Sequence, residues 1–177
     1  ATVSIEHSSI IGDANNVQGA TATGTLIIEG QETRVTLGDK DGTGQEGFMR
    51  IAEEGGTGTL ILRDGAYVEF LAGNEYGGNL QLSGGSDRIG GTAHAEVIGE
   101  GTVLDVERGS ISVGRNIGEA SLTVSDGAQI LANSINAGRK GTGNITFEGG
   151  ETRVTLGGES GIGQEGFMRI AEEGGTG

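Results

Sequence analysis

Residues 29–58 read EGQETRVTLGDKDGTGQEGFMRIAEEGGTG, and residues 148–177 repeat them as EGGETRVTLGGESGIGQEGFMRIAEEGGTG. The two copies lie 119 positions apart and differ at five of 30 positions. A weaker match continues upstream, so that residues 1–58 correspond to residues 120–177. We therefore expect residues 1–177 to be a single segment, cut from a longer tandem array.

A shorter unit lies inside the long repeat. Two apolar residues separated by one position recur along the chain, and glycine stands three positions after the pair in five of seven cases. The pairs are Val3/Ile5, Leu26/Ile28, Leu60/Leu62, Leu80/Leu82, Leu104/Val106, Leu122/Val124 and Ile145/Phe147. This spacing is the alternation of a β-strand. The units are 18–24 residues long apart from one of 34, which predicts about seven coils, five of them in each long repeat.

Units of this length, each with two or three short strands, are typical of one turn of a parallel β-helix. We predict an all-β fold, a right-handed parallel β-helix (β-solenoid) with coils stacked ~4.8 Å apart. An up-and-down barrel or a sandwich is the alternative, but neither accounts for a near-copy at 119 residues. The predicted core ladders contain Leu60, Leu62, Leu122, Val124, Ile145 and Phe147, and the predicted corners are Gly65, Gly109 and Gly127.

The composition excludes several classes of protein. Glycine supplies 38 of 177 residues, but no three-residue glycine period supports a collagen helix. The 25 acidic residues against 11 basic ones give a net charge of −14, which argues against a nucleic-acid partner. The absence of cysteine excludes disulfides and thiolate metal sites. No apolar run reaches the roughly 18 residues of a membrane span, so we do not expect this segment to cross a membrane.

The stretch 109–128, GSISVGRNIGEASLTVSDGA, resembles the type V secretion/PEP-CTERM-associated repeat of bacteria. The likeness rests on Val-Gly, a glycine-rich turn, Leu-Thr-Val and a Gly-Ala pair. Residues 48–66 follow the same pattern, with Ala52 where the family has glycine. The resemblance covers most of the chain. It implies an autotransporter-passenger-like β-helix, secreted to the bacterial cell surface or extracellular matrix, and it implies no particular ligand.

The clearest candidate for a metal site is the loop 38–47, where Asp39 and Asp41 resemble the opening of a calcium-binding loop. Both aspartates are missing from the second copy, which favours a solvated turn over a calcium site. We therefore predict no required cofactor. His7 and His94 are isolated in the sequence, and we expect both at the surface rather than bound to a metal.

The sequence contains no pattern of catalytic residues. The aspartates at positions 64, 87, 105 and 126 fall in different coils without matched basic partners, so we predict no enzyme and no catalytic, cofactor-binding or metal-ligating residue. The residues between the inward pairs do not form the threonine ladder that ice binding requires. We expect a structural segment of an exported surface protein, an adhesin stalk or filament. Its expected partners are neighbouring repeats, other copies of itself, and host or matrix glycans and proteins. A carbohydrate-binding or polysaccharide-degrading β-helix is the alternative.

Overall fold

The protein is described by a computed structural model, which covers residues 1–5, 8–13, 21–38, 46–71, 78–83, 89–157 and 165–177. This part of the chain is all-β and contains no helix, and therefore no helix that is long and apolar enough to span a membrane. Every strand pair in it is parallel. An up-and-down barrel or sandwich joins antiparallel strands by hairpins, so the described strands exclude that alternative.

Fifteen strands make up the fold. They are β1 (Thr2–Ile5), β2 (Ser8–Asp13), β3 (Thr23–Glu29), β4 (Arg34–Leu37), β5 (Phe48–Glu53), β6 (Thr57–Arg63), β7 (Tyr67–Phe70), β8 (Asn79–Leu82), β9 (Thr92–Ile98), β10 (Val103–Val113), β11 (Glu119–Ser125), β12 (Gln129–Ala137), β13 (Thr142–Phe147), β14 (Arg153–Leu156) and β15 (Phe167–Ile170).

The strands form a five-stranded sheet, in the order β13-β11-β9-β6-β3, and a ten-stranded sheet. The larger sheet has two rows, because β10 and β12 are long and their two halves pair with different neighbours. The first row holds β1, β4, β7, the first halves of β10 and β12, and β14. The second row holds β2, β5, β8, the second halves of β10 and β12, and β15. From β3 onward the chain visits the five-stranded sheet, the first row and the second row in that order five times. We call each visit a layer.

The pairing registers correct the predicted repeat unit. One column of paired residues crosses the five-stranded sheet through Thr23, Thr57, Thr92, Glu119 and Thr142. The column takes four steps to cover the 119 residues of the long repeat. The predictions of five units per repeat and of about seven coils are therefore wrong.

The error arose because apolar alternation looks the same in every row. Leu60/Leu62 lies in the five-stranded sheet, Leu104/Val106 in the first row and Leu80/Leu82 in the second. All three pairs point inward, so their spacing along the sequence does not measure the distance from one layer to the next. The true steps through the five-stranded sheet are 34, 35, 27 and 23 residues.

The predicted core residues are confirmed in the middle of the stack and fail at its end. Leu60, Leu62, Leu122 and Val124 are at most 1% exposed, and Ile145 is partly buried. The prediction that Phe147 is buried is wrong, because its side chain is 41% exposed. Strand β13 pairs with β11 on one edge, and on its other edge the described residues supply only the Thr142–Thr176 bridge. No full strand therefore covers Phe147.

Two of the three predicted corners have the expected backbone. Gly65 and Gly127 have φ of +80° and +85°, and the preceding Asp64 and Asp126 also have positive φ. Two consecutive left-handed residues form a tight turn that glycine accommodates without a steric penalty. Gly109 is different: it lies within β10, inside the register interruption between Val106 and Ser110 where this strand passes from the first row to the second.

These turns alternate along the stack with a second kind of turn that ends in threonine. In the second kind, Thr102 donates its hydroxyl hydrogen to the Ile98 carbonyl at 2.8 Å and accepts from the Gly65 N–H of the adjacent layer at 2.9 Å. Thr152 repeats both contacts with Glu148 and Gly127. The hydroxyl therefore satisfies backbone groups in two layers at once, which stabilises the corner where the five-stranded sheet meets the first row.

A column of glycines forms the opposite corner, just before β6, β9, β11 and β13 of the five-stranded sheet, whereas Ala22 takes this place before β3. The residue after a member of the column donates its backbone N–H to the carbonyl of the preceding member one layer away, as Glu119 does to Gly91 at 3.0 Å and Thr142 does to Gly118 at 2.8 Å. The members of the column are Gly56, Gly91, Gly118, Gly141 and Gly175. The layers approach so closely here that an added Cβ would overlap neighbouring backbone.

Segments that correspond in the long repeat occupy corresponding places from β3 onward. Strands β13, β14 and β15 stand 119 residues after β3, β4 and β5 and fill the same three positions of a layer. Upstream the two copies diverge. Strand β1 pairs with β4 in the first row, whereas its counterpart, residues 121–124, belongs to β11 in the five-stranded sheet.

Candidate functional site

The outward side chains of the second row form two columns with a shared order. Polar side chains occupy the middle of each column, and the same residue type stands at its two ends. The first column is Phe48, Asn79, Ser110, Ser134 and Phe167. The second column is Arg50, Gln81, Ser112, Asn136 and Arg169. Because side chains alternate along a strand, Phe48 and Arg50 point to the same face, as do Phe167 and Arg169.

All members of the two columns except Ser134 line a groove with a volume of about 1010 Å³. Five more residues border it: Glu46, Arg115, Arg139, Glu172 and Glu173. The paired ends of the groove are four strand steps apart, which corresponds to roughly 19 Å at the usual inter-strand spacing. The groove is therefore elongated along the stacking direction. We call it the polar groove.

Neutral polar side chains form the floor of the polar groove. Gln81 and Ser112 are buried, at 6% and 9% exposure. Asn79 Oδ1 accepts from the Ser110 hydroxyl at 2.6 Å and from the Ser110 backbone N–H at 3.3 Å. These contacts fix the orientation of the Asn79 amide. The floor therefore presents hydroxyl and amide groups that both donate and accept hydrogen bonds.

Each end of the polar groove holds an arginine stacked on a phenylalanine. The Arg50 Cζ lies 4.7 Å from the Phe48 ring centroid, and the Arg169 Cζ lies 4.4 Å from the Phe167 centroid. Both distances are in the range of a cation–π contact. Arg50 Nε is buried and has no hydrogen-bond partner among the described residues. An unsatisfied buried donor costs about 1–3 kcal/mol, so the fold holds Arg50 in this place against a penalty.

The charges around the polar groove nearly balance. Four arginines and three glutamates line it. Arg50 Nη1 lies 2.6 Å from Glu53 Oε1, Arg139 Nη2 lies 2.8 Å from Glu173 Oε1, and Arg169 Nη1 lies 3.2 Å from Glu172 Oε1. The four arginines are more than a third of the 11 basic residues in a chain whose net charge is −14. Basic residues are therefore concentrated on the face that carries the groove.

Sequence reasoning did not find the polar groove. It predicted no site residues, and it placed the most probable functional loop at residues 38–47. The signal that was available is the repeated Phe-Met-Arg at 48–50 and 167–169, together with polar residues at alternate positions of NLQL and SISV. Only the pairing of these strands brings the separate segments to one face. Asp39, Asp41, His7 and Asp87 lie outside the described residues.

The surface position predicted for His94 agrees with the structure, where its side chain is 41% exposed, and the side chain has two polar partners. Its Nδ1 lies 2.7 Å from Ser121 Oγ, and its Nε2 lies 2.8 Å from Glu96 Oε1. Ser121 stands opposite His94 in register, although the two are 27 residues apart in the chain. Strand β11 is paired on both edges, which uses its backbone N–H groups. His94, Ser121 and Glu96 form a polar network on the five-stranded sheet.

The remaining predicted carboxylates are separated from one another. Asp64 and Asp126 lie in turns of different layers, and the Asp64 carboxylate is 3.8 Å from Arg63 Nε. The bidentate contact of Arg63 is instead with Glu29 on the neighbouring strand, at 2.9 and 2.6 Å. This hydrogen bond raises the pKa of Arg63. No group of three or more potential metal-ligating residues occurs in the described part of the chain.

Tyr67 and Asp105 meet on the outer side of the first row. The Tyr67 hydroxyl donates to Asp105 Oδ2 at 2.7 Å, and the Arg34 Cζ lies 5.3 Å from the ring centroid. Burial and then the hydrogen bond with Asp105 raise the pKa of Tyr67. The hydrogen bond requires the protonated phenol. Its stabilising contribution is therefore present at neutral pH and is lost as the pH rises through the raised pKa.

An absorbance titration tests this environment. The chain has two tyrosines, so a Tyr76→Phe variant retains Tyr67 alone. We expect phenolate absorbance in the folded variant to appear well above pH ~10, the ordinary value for tyrosine. The same variant unfolded in urea serves as the control and should titrate at the ordinary pKa. Titration of the folded chain near pH ~10 would contradict the Tyr67–Asp105 contact.

Comparisons of the chain with protein-family models, with curated proteins and with solved structures found no match.

Proposed function

We propose that this chain is a structural repeat segment of an exported bacterial surface protein, where it forms part of an adhesin stalk or an extracellular filament. In this proposal the layers make a right-handed parallel β-helix of the type V secretion/PEP-CTERM-associated kind. The supporting observation is that the closely matching part of the sequence repeat coincides with one whole layer: β13, β14 and β15 take the places of β3, β4 and β5 four layers later.

This correspondence suits a protein whose task is to add length. Each layer adds ~4.8 Å, so one 119-residue repeat adds roughly 19 Å without altering the core. The net charge of −14 keeps neighbouring rods apart and soluble. The proposal includes no catalytic role, because a sequence repeated almost unchanged duplicates its side chains instead of building one singular site.

Exposed apolar side chains on β15 favour a partner that stacks on the open edge of the last layer. Met168 is 39% exposed and Ile170 is 61% exposed. Their counterparts one long repeat earlier, Met49 and Ile51, are fully buried beneath β8. A further layer of the same kind would bury Met168 and Ile170 in the same way. We infer that this edge accepts another repeat or the end of another copy.

Light scattering over a concentration series tests the stacking. We expect the mean mass of the 177-residue chain to rise with concentration. The Ile170→Lys variant should need a roughly tenfold higher concentration for the same rise, because it loses the free energy of burying one isoleucine side chain. Ile117→Lys is the matched control, since Ile117 is 48% exposed but lies outside the strands. A chain that is monomeric at every concentration, or equal effects of the two variants, would overturn the stacking proposal.

A further inference from the structure

We propose that the polar groove binds an extended strand of a neutral polysaccharide, laid along the stacking direction. This inference goes beyond the structural role, because it assigns one face of the stack to a ligand of defined chemistry. It depends on the register of the second row and not on the association of one chain with another.

The hydrogen-bonding groups of the groove floor match those of a neutral sugar. Gln81 and Asn136 offer amide groups, and Ser112 offers a hydroxyl. The Asn79 amide also lines the groove, bonded to Ser110 through its oxygen and to Glu46 through its nitrogen. Groups that donate and accept at once match the hydroxyls of a sugar, which also do both. The contact of Asn79 with Ser110 holds one of these amides in place before any ligand arrives. A preoriented polar floor lowers the entropy cost of binding.

The polar residues of the groove floor repeat from strand to strand along its length. The floor residues recur at each strand, ~4.8 Å apart, and the Phe–Arg pairs stand at the two ends, roughly 19 Å apart. A linear polysaccharide likewise presents the same hydroxyls at regular intervals. Phe167 is 38% exposed and Phe48 is partly buried, so the parts of the two rings that Arg169 and Arg50 leave uncovered provide apolar surface for the C–H face of a sugar ring at each end.

The charges that line the groove favour an uncharged ligand. Three of the four lining arginines contact glutamates, and Glu46, Glu172 and Glu173 also line the groove. A polyanion such as a nucleic acid or a polyuronate would gain little attraction here, because it needs an excess of cations. An arginine that is paired with a carboxylate still has further N–H donors for neutral hydroxyls. The balance therefore favours an uncharged ligand over an acidic one.

Affinity electrophoresis in native gels is the test. The probes are hydroxyethyl cellulose, galactomannan, laminarin and dextran as neutral polymers, and polygalacturonate as the acidic one. We expect retardation of the 177-residue chain by at least one neutral polymer and none by polygalacturonate. Retardation by polygalacturonate alone would assign a polyanion site and overturn the proposal, and so would the absence of retardation by every neutral polymer.

Variants locate the binding face. Asn136 lies in a strand that is paired on both edges. Asn136→Ala and Phe167→Ala should each lower the apparent affinity for the retarding polymer by at least roughly tenfold. Ile27→Ala is the control, because Ile27 is 48% exposed on the five-stranded sheet, outside the groove. Unchanged dichroism and melting of Asn136→Ala ensure that its loss of binding is not a loss of folding. Retardation that survives both groove variants would place the ligand elsewhere and overturn the proposal.

These outcomes are distinct from those of the stacking test. Asn136 lies away from the open edge, so Asn136→Ala should weaken binding of the neutral polymer and leave association unchanged. Ile170→Lys should weaken association and leave retardation by the neutral polymer unchanged, since Ile170 does not line the groove. Each of the two proposals can therefore fail while the other stands.

Discussion

Leu122→Asp is expected to abolish the cooperative unfolding transition of this protein or to lower its free energy of unfolding by about 5 kcal/mol or more. Leu122 is fully buried on β11, which lies between β9 and β13 in the five-stranded sheet. Its neighbours in register are Ala95 on β9 and Ile145 on β13. An aspartate there loses the apolar burial of leucine and brings an unpaired charge into the core. The total stability of a typical domain is only ~5–15 kcal/mol, so the change is comparable to the whole.

Urea unfolding followed by far-ultraviolet circular dichroism measures this effect. Thr123→Asp is the matched control, because Thr123 is the next residue on the same strand and points outward. An aspartate at this position would face Glu96 across the strand pair, and like charges there cost less than about 1 kcal/mol. Equal unfolding midpoints for the two variants would show that the inward and outward assignment of β11 is reversed.

Gly118→Ala has the second largest expected effect, a loss of about 3 kcal/mol. Gly118 has φ of +139°, a conformation that residues with a Cβ rarely adopt. An added Cβ would also overlap the Ser83 hydroxyl and the backbone of Gly91 in the adjacent layer. Ser83 is fully buried and donates to the Gly91 carbonyl at 3.0 Å, so neither group has room to move. Backbone strain and overpacking therefore add.

Gly150→Ala is the control for this substitution. Gly150 has no positive φ, and nothing lies within 4 Å of the position its Cβ would take. Its counterpart in the first copy of the repeat is Gln31, so a side chain is compatible with this turn. We expect the free energy of unfolding of Gly150→Ala to stay within about 1 kcal/mol of the parent. If thermal melting placed Gly118→Ala equally close to the parent, the close approach of the layers at this corner would be disproved.

Sequence reasoning was reliable where the signal is local. The alternation in Leu60-Ile61-Leu62 and Leu122-Thr123-Val124 predicts which side chains face inward, since successive side chains of a strand point to opposite faces. Gly65 and Gly127 were identified as corners by their position after such a strand. These properties depend on a few neighbouring residues, and they hold in whichever row the strand lies.

The predictions failed where an outcome depends on distant segments. Phe147 has the pattern of a core residue, but burial requires a covering strand, and β13 lacks one among the described residues. The surface position of His94 was predicted, but its partner Ser121 was not, because Ser121 comes from the next layer. The layer count failed for the same reason, since the step from one layer to the next includes loops whose length the alternation does not record.

The sequence by itself determined that the chain is all-β, that it repeats at 119 residues, and which alternate residues of its strands are apolar. Only the tertiary structure decided which row each strand joins. The side-chain period of two is the same in all rows, so it carries no information about neighbours. The pairing register brings Phe48, Asn79, Ser110 and Phe167 into one column. The polar groove is therefore a product of register, which local sequence patterns do not encode.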